Sequence, residues 1–400
     1  MDFISQYLLA NSGTVVPRRY TMWSAISILG MTLGRKVFID EQHFIVYPGI
    51  YICLVGDPAS RKSTAMVQAR DMFTSCFPDY PTGVSVTSRE DIVKFLSSDQ
   101  CMRSFDDGKG NLVEWRPLAN FINEFSNFMS FNPKGMIEFL TDIYDSKFFI
   151  SSTVKRGKEE IINPHVSILA CTVPNYIIDT FKSNIIGGGF SRRILFIYET
   201  EIPAKQTFPT KSLEAFSAET WCKEHLKKVW TLAGEFKWTD EARTTLDTWY
   251  KQVPSMRDSV LAGYYESKDI IVRKLAMCLA AAEPEPTLIL TDRLISNSIA
   301  FLESIEDNLP KLSIASGRNE LAIYHHRLVQ LLEDRGGWLP EKLWHRIASA
   351  ELSEMEYFNV RKLLRETSQL YEISHENAIY MVHPNALKKF VDTFKIPGLC

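Results

Sequence analysis

The apolar positions alternate between helical spacing and short continuous runs, and their order sets out a succession of elements. Phe3 to Ala10 and Tyr20 to Leu33 have helical spacing. Lys36-Val-Phe-Ile-Asp40 and His43-Phe-Ile-Val-Tyr47 predict a strand pair turned by Glu41-Gln42 and closed by Pro48-Gly49. Tyr51 to Val55 is apolar throughout, as a strand covered on both faces requires. A helix is predicted over Ala65 to Phe73, a short strand over Val84 to Thr87, and another helix opening at Ser88, with Asp91 completing a near capping box. A turn-rich hairpin tip lies within 105–115, an apolar strand spans Leu118 to Ile122, and Gly135 to Tyr144 is an amphipathic helix. Two β-prone runs then flank residues 155–158, and buried-type strands follow over His165 to Thr172 and Ile194 to Tyr198.

After a linker from Pro203 to Lys211 the periodicity turns helical: Leu213 to Leu232, Thr239 to Val253, Ser267 to Ala282 and Thr291 to Asn308. The last stretch gives helices over Asn319 to Asp334, Pro340 to Ser349 and Ser353 to Thr367, then strands over Leu370 to Ser374 and Ala378 to Val382. Three helices followed by a hairpin is winged-helix order. The expected division is therefore a lead-in (1–48), an α/β core (49–202), a helical module (212–314) and a winged helix (318–395).

The first strand of the core runs into Gly56-Asp57-Pro58-Ala59-Ser60-Arg61-Lys62-Ser63-Thr64 and then a helix. That order serves a phosphate: backbone N–H groups of the turn and helix start face the anion, Lys62 neutralises its oxygens, and the Ser63 hydroxyl ligates Mg²⁺. Arg61 stands where the usual loop has its second glycine, a position often suited to positive φ. The plain alternative is a strand–turn–helix with a chance Lys-Ser-Thr. Further on, the Leu118–Ile122 strand ends in Asn123-Glu124. Chain order makes Glu124 the candidate general base and metal-orienting acid, and Asn123, where an aspartate is commoner, adds no negative charge.

Composition narrows the partners. Four hundred residues, 45% hydrophobic and 12% aromatic, can bury sizeable cores. Lys plus Arg total 45 against 48 Asp plus Glu, so no global basic field advertises nucleic acid, and any such contact must use local patches. One patch is the tip Lys155-Arg156-Gly157-Lys158, where Lys155, Arg156 and Lys158 would grip phosphates without reading sequence; the plain alternative is a solvated turn. Another is the third helix of the last domain, with Arg361, Lys362 and Arg365 beside Glu354, Glu356 and Glu366, which leaves DNA contact and protein contact equally open. Gly187-Gly-Gly-Phe-Ser-Arg192-Arg193 presents two arginines before a core strand, either of which could reach a neighbouring subunit's phosphate. The seven cysteines are scattered without metal-ligand spacing, and no apolar run reaches membrane-spanning length, so reduced thiols, a cytoplasmic location and no membrane partner are expected.

Taken together, Pro48-Gly49-Ile-Tyr51, the 54–64 loop, Ile122-Asn-Glu-Phe125, Ser167-Ile-Leu169 with Pro174, and Gly189-Phe-Ser-Arg-Arg-Ile-Leu195 resemble a family of P-loop ATPases. Phages, plasmids and genomic islands encode it, often as the helicase-like half of primase-helicase proteins. The resemblance covers about residues 15–200. It implies a RecA- or AAA+-like core, ATP and Mg²⁺ as cofactors, and an Arg-Lys-Ser loop as a known variant. By the same resemblance Lys62 and Ser63 would bind nucleotide and metal, Glu124 would activate water, Thr172 or Asn175 would sense the γ-phosphate, and Arg192 or Arg193 would act across a subunit boundary. The expected activity is that of a ring-shaped, hexameric replicative helicase moving on single-stranded DNA. The alternatives are an initiator or loader binding duplex origin DNA through the winged helix, and an ATP-gated protein-binding switch.

Overall fold

Four strands whose buried runs are nearly continuous assemble into one parallel sheet, because strands covered on both faces have no polar side to leave in water. In the computed structural model, residues 1–83, 87–153, 157–177, 189–200, 206–254, 262–306, 321–349, 352–366, 369–376 and 378–396 are described. The chain divides into two units, Met1–Pro310 and Lys311–Cys400.

The first unit opens with α1 (Phe3–Ala10), α2 (Arg18–Leu33), β1 (Val37–Asp40), β2 (Ile45–Val46), β3 (Tyr51–Val55), α3 (Lys62–Cys76) and α4 (Arg89–Ser97). Next come β4 (Arg103–Asp106), β5 (Leu112–Ile122), α5 (Phe125–Phe128), α6 (Pro133–Ile143), β6 (Phe149–Thr153), β7 (Gly157–Ile161), β8 (Pro164–Thr172) and β9 (Ile194–Tyr198). It closes with α7 (Leu213–Trp230), β10 (Gly234–Glu235), β11 (Lys237–Trp238), α8 (Asp240–Tyr250), α9 (Ala262–Tyr265), α10 (Lys268–Ala282), β12 (Ile289–Leu290) and α11 (Asp292–Glu306).

The central sheet has the order β4-β5-β8-β3-β9, with β4 antiparallel and the other four strands parallel. Register aligns the strand ends: Val55 lies opposite Thr172 and Tyr198, and Ile122 opposite Ala170. Since side chains alternate along a strand, Ile52, Leu54, Leu169, Cys171, Leu195 and Ile197 join the core that contains α2 and α3. Tyr51 points to the other face, where its ring meets Tyr144 at 4.9 Å. The strand predicted over 84–87 lies mostly outside the described residues, but Thr82 makes a parallel bridge to Ala119 just before it. The predicted hairpin forms as the β6–β7 pair, with its tip at 154–156 outside the described residues.

The expected lead-in, core and helical module share one apolar core. The reason lies in α2 and α10, apolar nearly all round and buried almost throughout, which join the sheet layer to the outer helices. Buried cations reinforce the join. Lys274 donates to the carbonyls of Tyr47 and Gly49 at 2.9 and 2.7 Å, Arg273 pairs with Glu41 at 3.1 Å, and Lys36 lies 3.6 Å from the Trp230 ring centroid. Burial lowers the Lys274 pKa to about 8. Among the described residues no helix is long and apolar enough to cross a membrane.

The second unit contains α12 (Leu321–Asp334), β13 (Trp338–Pro340), α13 (Glu341–Ala348), α14 (Glu354–Glu366), β14 (Tyr371–His375), β15 (Ala378–Val382) and α15 (Leu387–Phe394). Leu332, Trp344, Tyr357, Val360, Leu364 and Met381 form one cluster, and Ile373, Val382 and Phe390 another. The predicted helices and hairpin are present, with two additions. β13 pairs with β15 to make a third strand, too short to show alternation in sequence. α15 is legible in sequence, since Leu387, Phe390, Val391 and Phe394 have helical spacing.

Candidate functional site

The C-terminal ends of the parallel strands carry the predicted residues to one edge of the sheet, where open α/β sheets place their ligands. After Val55 the chain turns at once, closed by Ser60 N–H donating to the Asp57 carbonyl at 3.2 Å. Ala59 and Arg61 take left-handed backbone, with φ of 69° and 66°. Each costs on the order of 1 kcal/mol for a residue with a Cβ, strain of the kind that collects at functional loops. Arg61 is the N-cap of α3 but supplies no side-chain cap, so the first-turn amides of that helix keep their anion-facing character. Its side chain is exposed, as is that of Ser63; Thr64 is half-buried.

Lys62 turns back into the loop. Its Nζ donates to the Gly56 carbonyl at 2.7 Å, the Asp57 carbonyl at 2.9 Å and Ser60 Oγ at 3.3 Å. Burial holds this ammonium below the usual lysine range, while Cys171, Glu124 and Asp57 pull the other way. Glu124 follows β5, one strand removed from β3, and its half-buried carboxylate accepts from Ser126 Oγ at 2.9 Å. Asn123 is exposed. Thr172 ends β8 beside the loop, and its Oγ1 is buried without a hydrogen-bond partner among the described residues. Asn175 lies three residues on in a helical stretch and is exposed. Lys62, Glu124 and Thr172 thus gather at one level, with Ser63 at the mouth.

The other predicted residues lie elsewhere. Arg192 and Arg193 precede β9, whose first residue pairs with Tyr51, so they sit at the opposite edge of the sheet, roughly 16 Å of strand from the loop. Arg193 is committed there: it donates to the Gly189 carbonyl at 2.7 Å and pairs with Asp145 at 3.3 Å, whereas Arg192 is exposed. Lys158 is ion-paired with Glu160, and Lys155 and Arg156 fall outside the described residues. In the second unit, Arg361 is spent internally, its Nε on Glu372 and its Nη1 on Glu341, both at 2.7 Å. Of the three basic residues for which DNA and protein contact were left equally open, Arg361 is therefore the one turned inward, toward β14 and α13. Arg365 is exposed 3.6 Å from Glu372, and Lys362 is exposed.

Sequence reasoning missed three contributors. Tyr20 of α2 is fully buried and donates to the Val55 carbonyl at 2.6 Å, directly beneath the loop. Arg19 donates to the Tyr198 carbonyl at 3.1 Å, and Glu199 N–H donates to the Val55 carbonyl at 3.1 Å. No spacing signal marks these residues, because α2 reaches the loop only through tertiary packing. A separate cavity of about 450 Å³, lined by Asn11, Thr14, Gln68, Asp71, Lys211 and Glu219 among others, shares no lining residue with the loop.

No model of a known protein family matches the chain, and no curated protein matches it significantly.

Proposed function

We propose that this chain is a P-loop nucleotide hydrolase with a RecA- or AAA+-like core, taking ATP with Mg²⁺. Within that class it is a DNA motor, a ring-shaped, hexameric replicative helicase of a phage or other mobile element that moves on single-stranded DNA. The observation that carries this proposal is the inward-turned Lys62, set in a strained strand–helix turn with Glu124 at the end of the strand next but one. A lone Lys-Ser-Thr would have no reason to bury its ammonium there.

The residues divide the work. Lys62 and the first-turn amides of α3 hold the phosphates, and Arg61 adds positive charge at the mouth. Ser63 and Glu124 are the groups that would hold Mg²⁺. Among the described residues no three His, Cys, Asp or Glu side chains form a metal cage. When bound, Mg²⁺ neutralises charge on the phosphoryl oxygens. Glu124 orients and deprotonates the attacking water, and the Thr172 hydroxyl, without a partner among the described residues, meets the terminal phosphate. Arg192, too far from the loop of its own chain, serves the site of a neighbouring subunit in a ring. The second unit is a winged helix in this account.

A second proposal, the ATP-gated protein-binding switch, is favoured by the commitment of Arg361 and Lys158 to carboxylates of this chain. Steady-state ATP hydrolysis with and without single-stranded DNA separates the two, with Lys62→Ala as the blank. The motor predicts hydrolysis that single strands stimulate and Lys62→Ala abolishes. Turnover unchanged in Lys62→Ala refutes the site, and turnover indifferent to DNA favours the switch.

A further inference from the structure

We infer that the outward face of α14 is an interface through which two copies of this chain pair, helix against antiparallel helix, about a twofold axis near Phe358. The face belongs to the second unit alone and is independent of the reading of residues 56–64 as a nucleotide loop.

Helical spacing puts Glu354, Met355, Phe358, Lys362 and Arg365 on one stripe of α14, since residues three, four and seven apart lie one above another. All of them are exposed, Met355 at 76% and Phe358 at 58%. The opposite stripe, with Tyr357, Val360 and Leu364, is buried in the core of the unit. Two other charges of the helix have tasks inside the unit. Glu356 accepts from Ser353 N–H at 2.8 Å and closes the helix start, and Arg361 bridges Glu341 and Glu372. The outward stripe therefore runs from an acid through two large apolar side chains to two bases, along roughly 16 Å of helix.

That order is complementary to itself. Turned end to end, a second α14 brings its Lys362 and Arg365 to the Glu354 end and sets the two Phe358 rings side by side at the centre, as an isologous contact requires. Glu354 and Arg365 lie on the same edge of the stripe, so the two symmetry-related acid–base pairs close along one side, and the Lys362 stem covers Met355 of the other copy. Arg365 is loosely held, 3.6 Å from a Glu372 that Arg361 already engages at 2.7 Å, and it can turn to the acid of the second copy. The dipole of a single helix accounts for an acid at its start and bases at its end. It does not account for two large apolar side chains side by side in water, which a covering surface does. DNA fits the face less well. A recognition helix reads bases with its N-terminal residues, and here these are a carboxylate and two apolar groups, with Arg361 committed inward. Three turns of helix bury less than the ~1,200 Å² of a stable separate interface, so the pair is a transient contact, strengthened where other surfaces already hold copies together.

The test is crosslinking of the full chain with Cys76 and Cys400 replaced by serine, since Cys53, Cys101, Cys171, Cys222 and Cys278 are buried. With copper–phenanthroline as oxidant, Phe358→Cys should form a disulfide-linked dimer about tenfold faster than Lys388→Cys, an exposed site on α15, because a residue at a twofold axis meets its own copy. Glu354→Lys or Arg365→Glu, each added to Phe358→Cys, should slow that crosslink by about tenfold, as both symmetric pairs turn repulsive. The two reversals together should restore it, a coupling that direct contact between positions 354 and 365 produces. Glu354→Gln and Arg365→Gln, which neutralise without repelling and disturb the helix least, should each slow it by about threefold. A Phe358→Cys rate equal to that of Lys388→Cys overturns the pairing, and so does a double reversal no faster than the single ones. Duplex DNA binding that falls with Lys362→Ala and rises with Glu354→Gln, without any crosslink at position 358, would give the face to DNA and overturn the pairing as well.

Discussion

Arg193 closes an ion pair with Asp145, Nη2 to Oδ2 at 3.3 Å, at the edge of the central sheet opposite the phosphate loop. The adjacent Arg192 is exposed, so two arginines that sequence leaves indistinguishable have different surroundings. Arg193→Ala should cost about 2 kcal/mol in denaturant unfolding, through lost charge-assisted bonds to Asp145 and Gly189. Arg192→Ala should stay within about 0.5 kcal/mol of wild type. In a ring motor, Arg192→Ala should also cut hydrolysis by about 10³-fold. Equal stability of the two variants would show that the Asp145 pair contributes nothing.

Arg61 holds φ at 66°, where a Cβ is strained and glycine is not. Arg61→Gly should therefore change stability upward by about 0.5–1 kcal/mol after the flexibility of glycine in the unfolded chain is offset. Arg61→Ala keeps the strain and is the control. If Ala and Gly prove equal in equilibrium unfolding, the left-handed backbone at this position is not a source of strain.

His165 is fully buried, and burial lowers its pKa from 6.5 to about 3, with Lys274, Arg35 and Lys36 acting in the same direction and a backbone hydrogen bond at Gly30 opposing them. The neutral ring is the folded form, and the unfolded chain takes up a proton below pH 6.5. Stability from this group is fully present above pH 6.5 and is lost as pH falls toward 3, at up to about 1.4 kcal/mol per pH unit. His165→Gln should flatten that slope between pH 6 and 4 in unfolding curves. An unchanged slope would assign the acid sensitivity to other groups.

Arg361 bridges Glu341 and Glu372, with its side chain 16% exposed. Its removal leaves two carboxylates without their shared cation, and Arg361→Ala should destabilise the Lys311–Cys400 unit by about 2–3 kcal/mol. Hydrogen exchange should rise over 341–375 while β3 and β8 stay protected. Arg365→Ala, at a 61% exposed side chain, should have little effect. Uniform exchange in both variants would mean that the bridge is not holding this unit.

Local chemistry was enough to determine much of this protein from sequence. The continuous apolar runs at 51–55 and 194–198 specify buried strands because nothing polar in them could face water, and Gly56 to Thr64 specifies a turn feeding a helix. The helices α7, α8, α10 and α11 follow from periodicity and from caps such as Ser212 and Thr239. Tertiary structure decided what depends on residues distant in the chain. Strand order set β8 between the loop strand and the Glu124 strand, and packing of α2 brought Tyr20 under the loop. Burial of α2 and α10 merged three expected segments into one core. Ion pairing divided Arg193 from Arg192 and turned Arg361 inward, because the partner that captures a charge is chosen by the fold, whereas the sequence records only that the charge is there.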